Sequence, residues 1–405
     1  MPSAGFLGQH GTDYILAMAN QTVFAQLMSL GHRETFQRCI ERYNGDAYIK
    51  NFSCRDQWLA MAFAQLTFRD SLRDIEVALN ARPELLYQMG FRSRVCRSTL
   101  ADANELRDWR IFHDWAQTLI ARARKLYAND SFAVDIRNTA YALDSTVIDL
   151  CLSLFPWARF RSTKAAIKLH TLLDLRGSIP SFLALTEGSV HDVNILDELP
   201  VEPGSVYVID RAYIDFERLA RLAEALAYFV TRAKTTMDFY VVESRPVDKT
   251  TGLRCDQTIR LRGFYSKKHY PMELRRVGFY DAEQKRLFAF ITNFFGLTAL
   301  QVAELYRARW QIELFFRWIK QHLRIRSFVG TSENAVQIQI WTALAAYLLV
   351  AILKKTLKSD QSLHEIFQVV SVTPFEKVPM QQLLAKQAIQ LDTRTGTDDI
   401  PNLFL

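Results

Sequence analysis

Four residues in the second half of the chain have side chains and a spacing that favour chemistry on a polyanion. Tyr306, Arg309, Glu313 and Lys320 lie at offsets of 0, 3, 7 and 14. At about 100° per residue on an α-helix, these offsets correspond to about 0°, 300°, 340° and 320°. The spacing predicts one helical stripe that carries a phenol, a guanidinium, a carboxylate and an ammonium group. The alternative is a solvated helix face on which Arg309 pairs with Glu313.

Two aspartates occur in runs that would otherwise read as apolar strands. Asp144 lies within YALDST, and Asp210 ends SVYVID. A carboxylate on a buried strand costs free energy unless it is paired or binds a cation. Each aspartate is therefore a candidate metal ligand. A salt-bridged or turn-forming aspartate is the alternative for either one taken alone.

Asp144, Asp210 and Glu313 together predict a two-metal site. Ligation by oxygen alone favours Mg²⁺ or Mn²⁺ over zinc. Two such ions about 3.5–4 Å apart support in-line attack on a phosphodiester. Such a site also needs cations beside it that contact the phosphates. The candidates near Glu313 in the sequence are Arg309, Lys320, Arg317, Arg324 and Arg326.

The elements that must position these residues change in character along the chain. From Thr22 to about Asp130, apolar residues recur at steps of three and four, which predicts short helices of a size that suits a helix-turn-helix. From about Asn138, short apolar and alternating runs predict strands, with one helix among them. A β-rich stretch then mixes aromatic, β-branched and basic residues, and from Ala299 the pattern is helical again. The sequence therefore predicts an α/β protein with helical regions before and after its strands.

The charge of the chain is unevenly distributed. The 405 residues carry a formal net charge of +7 and have room for two to four domains at roughly 100–200 residues each. Residues 214–330 hold 21 basic against 12 acidic groups, whereas residues 131–213, which contain Asp144 and Asp210, are net acidic. This division is expected when one part of a protein contacts phosphates and another holds metal ions.

Three patterns argue against membrane and secreted proteins. The longest apolar run, Ile340 to Leu353, has 14 residues, fewer than the roughly 18 that a membrane span needs, and is interpreted as a buried helix. The N-terminus shows no basic segment followed by an apolar core, so no secretory signal is visible. The five cysteines are far apart and form no CxxC pair, which fits a reducing cytoplasm.

Tyr306, Arg309, Glu313 and Lys320 satisfy the pattern Y-x2-R-x3-E-x6-K, and the chain closely resembles bacterial DDE transposases of insertion sequence family four. Further family-like blocks follow one another in the right order from Met18 onward. They include TVFAQLM, SLRDIE, RSTLADANE, LDSTVIDLCLSLFPWA, KLHTLLDLRGSIP, DRAYIDF, YRARWQIELFFRWIKQHL and GTSENAVQIQIW. So many ordered blocks are far more specific than the four-residue pattern.

The resemblance implies a ribonuclease H-like catalytic domain that is interrupted by a β-rich insertion. An all-α DNA-binding domain precedes it and a C-terminal helical region follows it. The implied boundaries are 1–130 for the N-terminal domain, 131–225 and 299–330 for the two parts of the catalytic domain, 226–298 for the insertion, and 331–405 for the C-terminal region and tail.

The resemblance also implies cut-and-paste transposition. The enzyme binds the terminal inverted repeats, water nicks the element end, and the freed 3′-hydroxyl attacks the opposite strand to form a hairpin. The hairpin is opened and the 3′ end is joined to target DNA. Asp144, Asp210 and Glu313 are the implied catalytic and metal-binding residues, with two Mg²⁺ or Mn²⁺ ions per site. The residues expected to contact DNA are Tyr306, Arg309, Lys320, Arg317, Arg324 and Arg211.

The expected partner is double-stranded DNA, bound by a homodimer when two ends are synapsed, in the bacterial cytoplasm on the nucleoid and without a membrane. Two alternatives share these residues: a catalytically silent repressor derived from a transposase, and a ribonuclease H-like nuclease without strand transfer.

Ala212 stands where the family has glycine, and would be strained if that position needed a positive φ. His191 and Asp192 lie in another family-like block. His191 is interpreted either as an imidazole near the metals or as a structural loop histidine. Residues 1–17 match no family segment, and are interpreted as a disordered arm or as sequence upstream of a start at Met18.

Overall fold

A computed structural model describes the chain at residues 21–130, 132, 134–161, 163–323 and 328–385. The chain divides into two compact units. One unit comprises the residues up to Leu126 and those from Lys320 onward, and the other comprises Tyr127–Ile319. The predicted arm at residues 1–17 lies outside the described residues.

Short helices make up the described N-terminal part of the first unit, as the apolar spacing predicts. Ser53 and Asp56 form a reciprocal capping box at the start of the third of these helices, whose side chains are almost all buried. The helices are Val23–Ser29 (α1), Arg33–Arg42 (α2), Cys54–Leu66 (α3), Leu72–Asn80 (α4), Pro83–Leu86 (α5), Arg97–Leu106 (α6) and Arg110–Tyr127 (α7).

The second unit is built on one sheet of ten strands among the described residues. The strands are Ala140–Leu150 (β1), Arg159–Arg161 (β2), Lys164–Asp174 (β3), Ile179–Glu187 (β4), Val206–Ile209 (β5), Tyr228–Arg232 (β6), Phe239–Arg245 (β7), Leu253–Leu261 (β8), Leu274–Asp281 (β9) and Arg286–Thr292 (β10). β1 pairs antiparallel with β3 and parallel with β5, and β5 pairs parallel with β6. β10, β9, β8 and β7 then continue the sheet as antiparallel strands. The mixed α/β class predicted from the sequence is confirmed.

The register of the parallel strands determines where the two strand aspartates lie. Leu143 on β1 is paired with Ile209 on β5. Asp144 and Asp210 are the next residues along these two strands. Because neighbouring strands lie about 4.7–4.9 Å apart, the register puts the two aspartates side by side at one end of β5.

The sheet unit also contains the helices Phe216–Glu224 (α8), Phe264–His269 (α9), Ala299–Ala308 (α10) and Trp310–His322 (α11), the last of which continues past Ile319. Thr298 and Gln301 form a capping box that begins α10. The segment predicted as helical is divided at Arg309 into α10 and α11, although the backbone of Arg309 keeps helical dihedral angles, with φ −53° and ψ −29°. The Arg309 N–H donates to the Tyr306 carbonyl at 3.3 Å, three residues back, which is a local tightening of the helical turn.

A buried ion pair fixes the chain that leads into α10. Arg275 on β9 forms two hydrogen bonds with Asp256 on β8, with N···O distances of 2.8 and 2.7 Å, and both side chains are buried. The other terminal nitrogen of Arg275 donates to the carbonyls of Phe295 and Leu297. Arg275 is therefore a structural residue that holds the loop before the helix carrying Tyr306.

We expect Arg275→Ala to lower the free energy of unfolding by about 3 kcal/mol, because Asp256 would keep only its longer ion pair with Arg245, at 3.3 Å, and the loop carbonyls would lose their donor. Urea denaturation followed by circular dichroism measures this effect. Arg260→Ala is the matched control, since Arg260 pairs with Glu273 at an exposed position and its loss should barely move the midpoint. Equal losses in the two variants would contradict the importance of the buried pair.

The helices Glu333–Leu357 (α12) and Leu363–Val372 (α13) follow in the first unit. α12 contains the predicted apolar run but extends beyond it at both ends, to 25 residues. Its length and composition would suit a membrane span, yet 94% of its most apolar window is buried inside the structure. The prediction of a buried helix is confirmed.

Candidate active site

Arg309 connects two of the three predicted acids. Its Nη1 donates to Asp144 Oδ2 at 2.7 Å, and its Nη2 donates to Glu313 Oε1 at 2.8 Å. The Arg309 side chain is only 12% exposed, against 22% for Asp144 and 33% for Glu313. The guanidinium therefore lies between a carboxylate from β1 and one from α11 and is largely shielded from solvent. The i,i+4 pair that the sequence offered as an alternative is present, but it belongs to this larger arrangement.

Tyr306 contacts the third predicted acid, Asp210. Its hydroxyl donates to Asp210 Oδ2 at 3.4 Å, and its ring centroid lies 5.6 Å from the Arg309 guanidinium carbon. The ring also packs against Phe290 of β10, with 4.9 Å between centroids. The tightened turn between α10 and α11 thus brings Tyr306, Arg309 and Glu313 to the two strand aspartates.

Backbone N–H groups fix both aspartates. Asp144 Oδ1 accepts from the Ser145 N–H at 2.8 Å, and Asp210 Oδ1 accepts from the Ala212 N–H at 3.0 Å. Ala212 is not among the residues with a positive φ, so it causes no strain where the family has glycine. The turn Arg211–Tyr213 therefore holds its acid without requiring glycine.

The site is partly desolvated, which alters its protonation. Burial raises the pKa of Asp144 to about 6. The Arg309 charge opposes that rise, and the negative charges of Asp210 and Glu313 add to it. Burial also raises the pKa of Tyr306, so its phenol stays protonated at neutral pH. The Coulombic influence of Asp210 and Glu313 on Asp144 indicates that the three carboxyl groups share one neighbourhood.

The other predicted DNA contacts lie at different places. Arg211 is half-buried in the turn after Asp210, and Arg317 is exposed on α11. Lys320 is half-buried on the same helix but belongs to the first unit. Arg324 and Arg326 lie outside the described residues.

The chemistry of the three acids fits a hard divalent cation, because each supplies carboxylate oxygens and a cationic group already lies between two of them. Among the described residues, no three Asp, Glu, His or Cys side chains are gathered closely enough to coordinate an ion in this arrangement. The guanidinium of Arg309 separates Asp144 from Glu313. Metal binding by all three acids therefore requires Arg309 to release at least one of its ion pairs.

Sequence reasoning missed a second polar cluster beside Asp144. It consists of Ser145, Lys168, His170 and Asp192. Of these, the sequence singled out only Asp192, together with His191, which is exposed. The signal in the sequence was the alternation of polar residues at 168 and 170 on a largely apolar strand.

A family model described as a transposase DDE domain matches residues 137–349, a range that contains the three acids and the full Y-x2-R-x3-E-x6-K pattern. A second model, described as a domain of unknown function, DUF4372, matches residues 19–92.

Three named relatives are similar to the chain. A protein of Sinorhizobium fredii named as transposase y4zB is 35% identical over 62% of this chain and 70% of its own length. A Geobacillus stearothermophilus protein named as a transposase for insertion sequence element IS5377 is 32% identical over 51% of this chain. The match covers 55% of that relative's own length. A Synechocystis protein named as a transposase for insertion sequence element IS4SA is 27% identical over 73% of this chain and 80% of its own length.

One solved structure is similar over most of the chain. It is that of a piggyBac transposase synaptic complex with hairpin DNA, which superposes with a TM-score of 0.48 at 9% identity. The match covers 94% of this chain and 86% of that one.

Proposed function

The chain belongs to the transposase DDE domain family and is a DNA transposase, and we propose that Asp144, Asp210 and Glu313 are its catalytic, metal-binding residues. The observation that carries this proposal is the convergence of the three acids on one pair of residues. Arg309 binds Asp144 and Glu313, and Tyr306 binds Asp210. Acids from a strand, a strand end and a helix are brought together although up to 169 residues separate them.

DDE transposases as a family use divalent metal ions. We propose two ions per site, Mg²⁺ or Mn²⁺, held by Asp144, Asp210 and Glu313. When bound, such ions activate water and stabilise the charge on the attacking and leaving oxygens of an in-line displacement. The backbone N–H groups of Ser145 and Ala212 bind Oδ1 of each aspartate, so Oδ2, which Arg309 and Tyr306 now contact, is the oxygen that we propose as the ligand.

The proposed reaction is cut-and-paste transposition by successive phosphoryl transfers. In the nick, a water oxygen bonds to phosphorus, the bond from phosphorus to the 3′ oxygen of the element breaks, and a 5′-phosphate and a 3′-hydroxyl result. That hydroxyl then attacks a phosphorus of the opposite strand and displaces the 3′ oxygen of the flanking DNA, which forms the hairpin. Water next attacks the hairpin phosphorus and displaces the 3′ oxygen of the element, which leaves a 5′-phosphate. The released 3′-hydroxyl finally attacks target DNA and displaces a 3′ oxygen of the target strand.

The cationic side chains support this reaction by contacting phosphates. Arg309 can exchange a carboxylate for a phosphate oxygen, because its planar fork suits both. The Tyr306 phenol stays protonated and can donate a hydrogen bond to the DNA strand that Arg309 contacts. The remaining proposed DNA contacts are Lys320, Arg317, Arg324 and Arg211.

We further propose that the sheet unit is a ribonuclease H-like catalytic domain, with residues 226–298, which contain β6 to β10, as its insertion. The antiparallel pairing of β1 with β3, the parallel pairing of β1 with β5, and the acids on β1 and directly after β5 support this assignment. The N-terminal helices would recognise the terminal inverted repeats. The working form would be a homodimer that holds two ends together on the nucleoid, in the cytoplasm.

The test uses the DNA on both sides of the gene. End-labelled duplexes from each flank, incubated with the protein and Mg²⁺, should give a nick and then a hairpin that migrates anomalously on a denaturing gel. A supercoiled target should become joined to the 3′ end. Binding without any cleavage would favour the silent repressor, and cleavage without joining would favour a nuclease.

The raised pKa of Asp144 predicts a pH dependence of metal binding. Below about pH 6 the Asp144 carboxyl is protonated, and a divalent ion must displace that proton. We therefore expect the Mn²⁺ affinity of the free protein to fall by up to about tenfold per pH unit below about pH 6 and to stay nearly constant from pH 7 to 8. Electron paramagnetic resonance of unbound Mn²⁺ measures this. An affinity unchanged down to pH 5 would exclude Asp144 as a ligand with this pKa.

A further inference from the structure

Three polar groups meet on one oxygen atom of Asp192, beside strand β1. The Ser145 hydroxyl donates to Asp192 Oδ1 at 2.9 Å. The Lys168 ammonium lies 3.2 Å from the same oxygen, and Nδ1 of His170 lies 4.0 Å from it. Asp192 begins the 3-10 helix Asp192–Asp197, which follows the loop after β4. Its carboxylate therefore ties a separate segment to β1 and β3.

This cluster and the Asp144 side chain lie on opposite faces of the sheet. Successive side chains on a strand point to opposite faces, so Ser145 faces away from the side that Asp144 faces. In the antiparallel register Ser145 is paired with His170, and directly paired residues point to the same face. Lys168 is two residues from His170 on β3 and shares that face. Asp192 thus contacts β1 from behind the proposed active site.

Ser145 connects the two faces. Its hydroxyl is held by Asp192, while its backbone N–H donates to Asp144 Oδ1 at 2.8 Å. Fixing the Ser145 side chain fixes the orientation of the peptide group that holds the Asp144 carboxylate. One continuous path of two hydrogen bonds therefore runs from Asp192 to Asp144.

Lys168 makes this support rigid and balances its charge. It is only 14% exposed, and it donates to the Val190 carbonyl at 2.6 Å as well as pairing with Asp192. It therefore binds the loop before Asp192 at two points. His170 is completely buried, and a hydrogen bond of 2.9 Å joins its Nε2 to the Thr186 hydroxyl. The lysine is the cation that offsets the Asp192 charge.

We propose that Asp192, acting through Ser145, is a positioning residue that orients Asp144 for metal binding. This inference rests on the proposed function of Asp144. Asp192 is not itself a ligand, because it contacts β1 on the face of the sheet opposite to the Asp144 side chain. Removing a group that orients a metal ligand typically lowers the metal affinity by 10- to 100-fold.

The test measures Mn²⁺ affinity of the free, full-length protein by isothermal titration calorimetry and electron paramagnetic resonance. Asp192→Ala and Ser145→Ala should each lower the affinity by about 10-fold or more. Asp192→Asn, which retains an oxygen acceptor for Ser145, should lose less. Ser145→Thr, which retains the hydroxyl on a β-branched side chain that suits a strand, should restore the affinity. Thermal melting establishes that each variant is folded.

Asp197→Ala is the matched control, because Asp197 lies on the same 3-10 helix and pairs with Arg218 and Arg221. It should leave the Mn²⁺ affinity unchanged. The combined Ser145→Ala and Asp192→Ala variant should lose no more than the larger single loss, because both residues act on one path. Binding of duplex DNA in EDTA should be the same in all variants.

The outcomes separate this inference from the proposed function. If Asp144→Ala leaves Mn²⁺ binding intact, the proposed metal site fails. If Asp144→Ala abolishes binding but folded Asp192→Ala binds normally, or if the two losses add fully, the positioning role is overturned. A loss in Asp192→Ala as complete as in Asp144→Ala would make Asp192 a ligand, which also overturns it.

Discussion

Replacing Asp144 by Asn, Asp210 by Asn or Glu313 by Gln is expected to lower metal-dependent cleavage of element-end DNA by about 10³-fold or more. Each substitution removes a negative carboxylate while keeping the side chain nearly the same size. Stabilisation by metal ions amounts to several kcal/mol of the barrier, and each 1.36 kcal/mol is a factor of ten in rate. Single-turnover nicking of a labelled duplex measures the loss.

DNA binding by the same variants should change little, since the acids repel phosphates and the contacts come from cations. Asp149→Asn is the matched control, because Asp149 is an exposed aspartate on the same strand, β1. It should cleave normally. Cleavage that survives in any one of the three variants would remove that residue from the triad.

Arg309→Ala is expected to lower the free energy of unfolding by about 3 kcal/mol in the absence of divalent ions. The substitution leaves Asp144 and Glu313 partly buried and facing each other without the cation that lies between them. Loss of one partner from a buried ion pair costs about 3–5 kcal/mol, and the lower end applies because Glu313 keeps a third of its side chain exposed. Thermal and urea denaturation in EDTA measure this cost.

Mg²⁺ should then stabilise Arg309→Ala more than it stabilises the unaltered protein, because the released carboxylates no longer have to exchange the guanidinium for the ion. Cleavage should nevertheless fall, since the phosphate contact is lost. Arg307→Ala is the control on the neighbouring helix, where Arg307 is 63% exposed and 3.5 Å from Asp281. A smaller Mg²⁺ effect in Arg309→Ala than in Arg307→Ala would disprove competition between Arg309 and the metal.

Much of the fold was predictable because it depends on local patterns. Apolar residues at steps of three and four predicted the helices α1, α3, α4 and α7, and alternating or continuous apolar runs predicted β1, β3 and β4. The buried helix α12 was also predictable from its composition, although not its full length of 25 residues. Its ends are set by Ser332 and by burial against other helices, which an apolar run alone does not define.

The division at Arg309 was not predictable from helical spacing. A stripe at 100° per residue assumes one continuous helix, whereas the chain tightens to a three-residue hydrogen bond where Arg309 reaches two acids. The spacing nevertheless placed Tyr306, Arg309 and Glu313 on one side correctly, because a single tightened turn changes their direction little. Local periodicity tolerates such a defect but does not reveal it.

The sequence by itself determined which residues are unusual: two acids in apolar strands, and a phenol, a guanidinium and a carboxylate at helical spacing. Only the tertiary structure decided how they meet. The register that aligns Asp144 with Asp210 joins strands 66 residues apart, and Arg309 and Asp192 reach Asp144 and its neighbour from opposite faces. The physical reason is that strand register and face are fixed by hydrogen bonds and burial between distant segments, which leave no periodic trace in either segment alone.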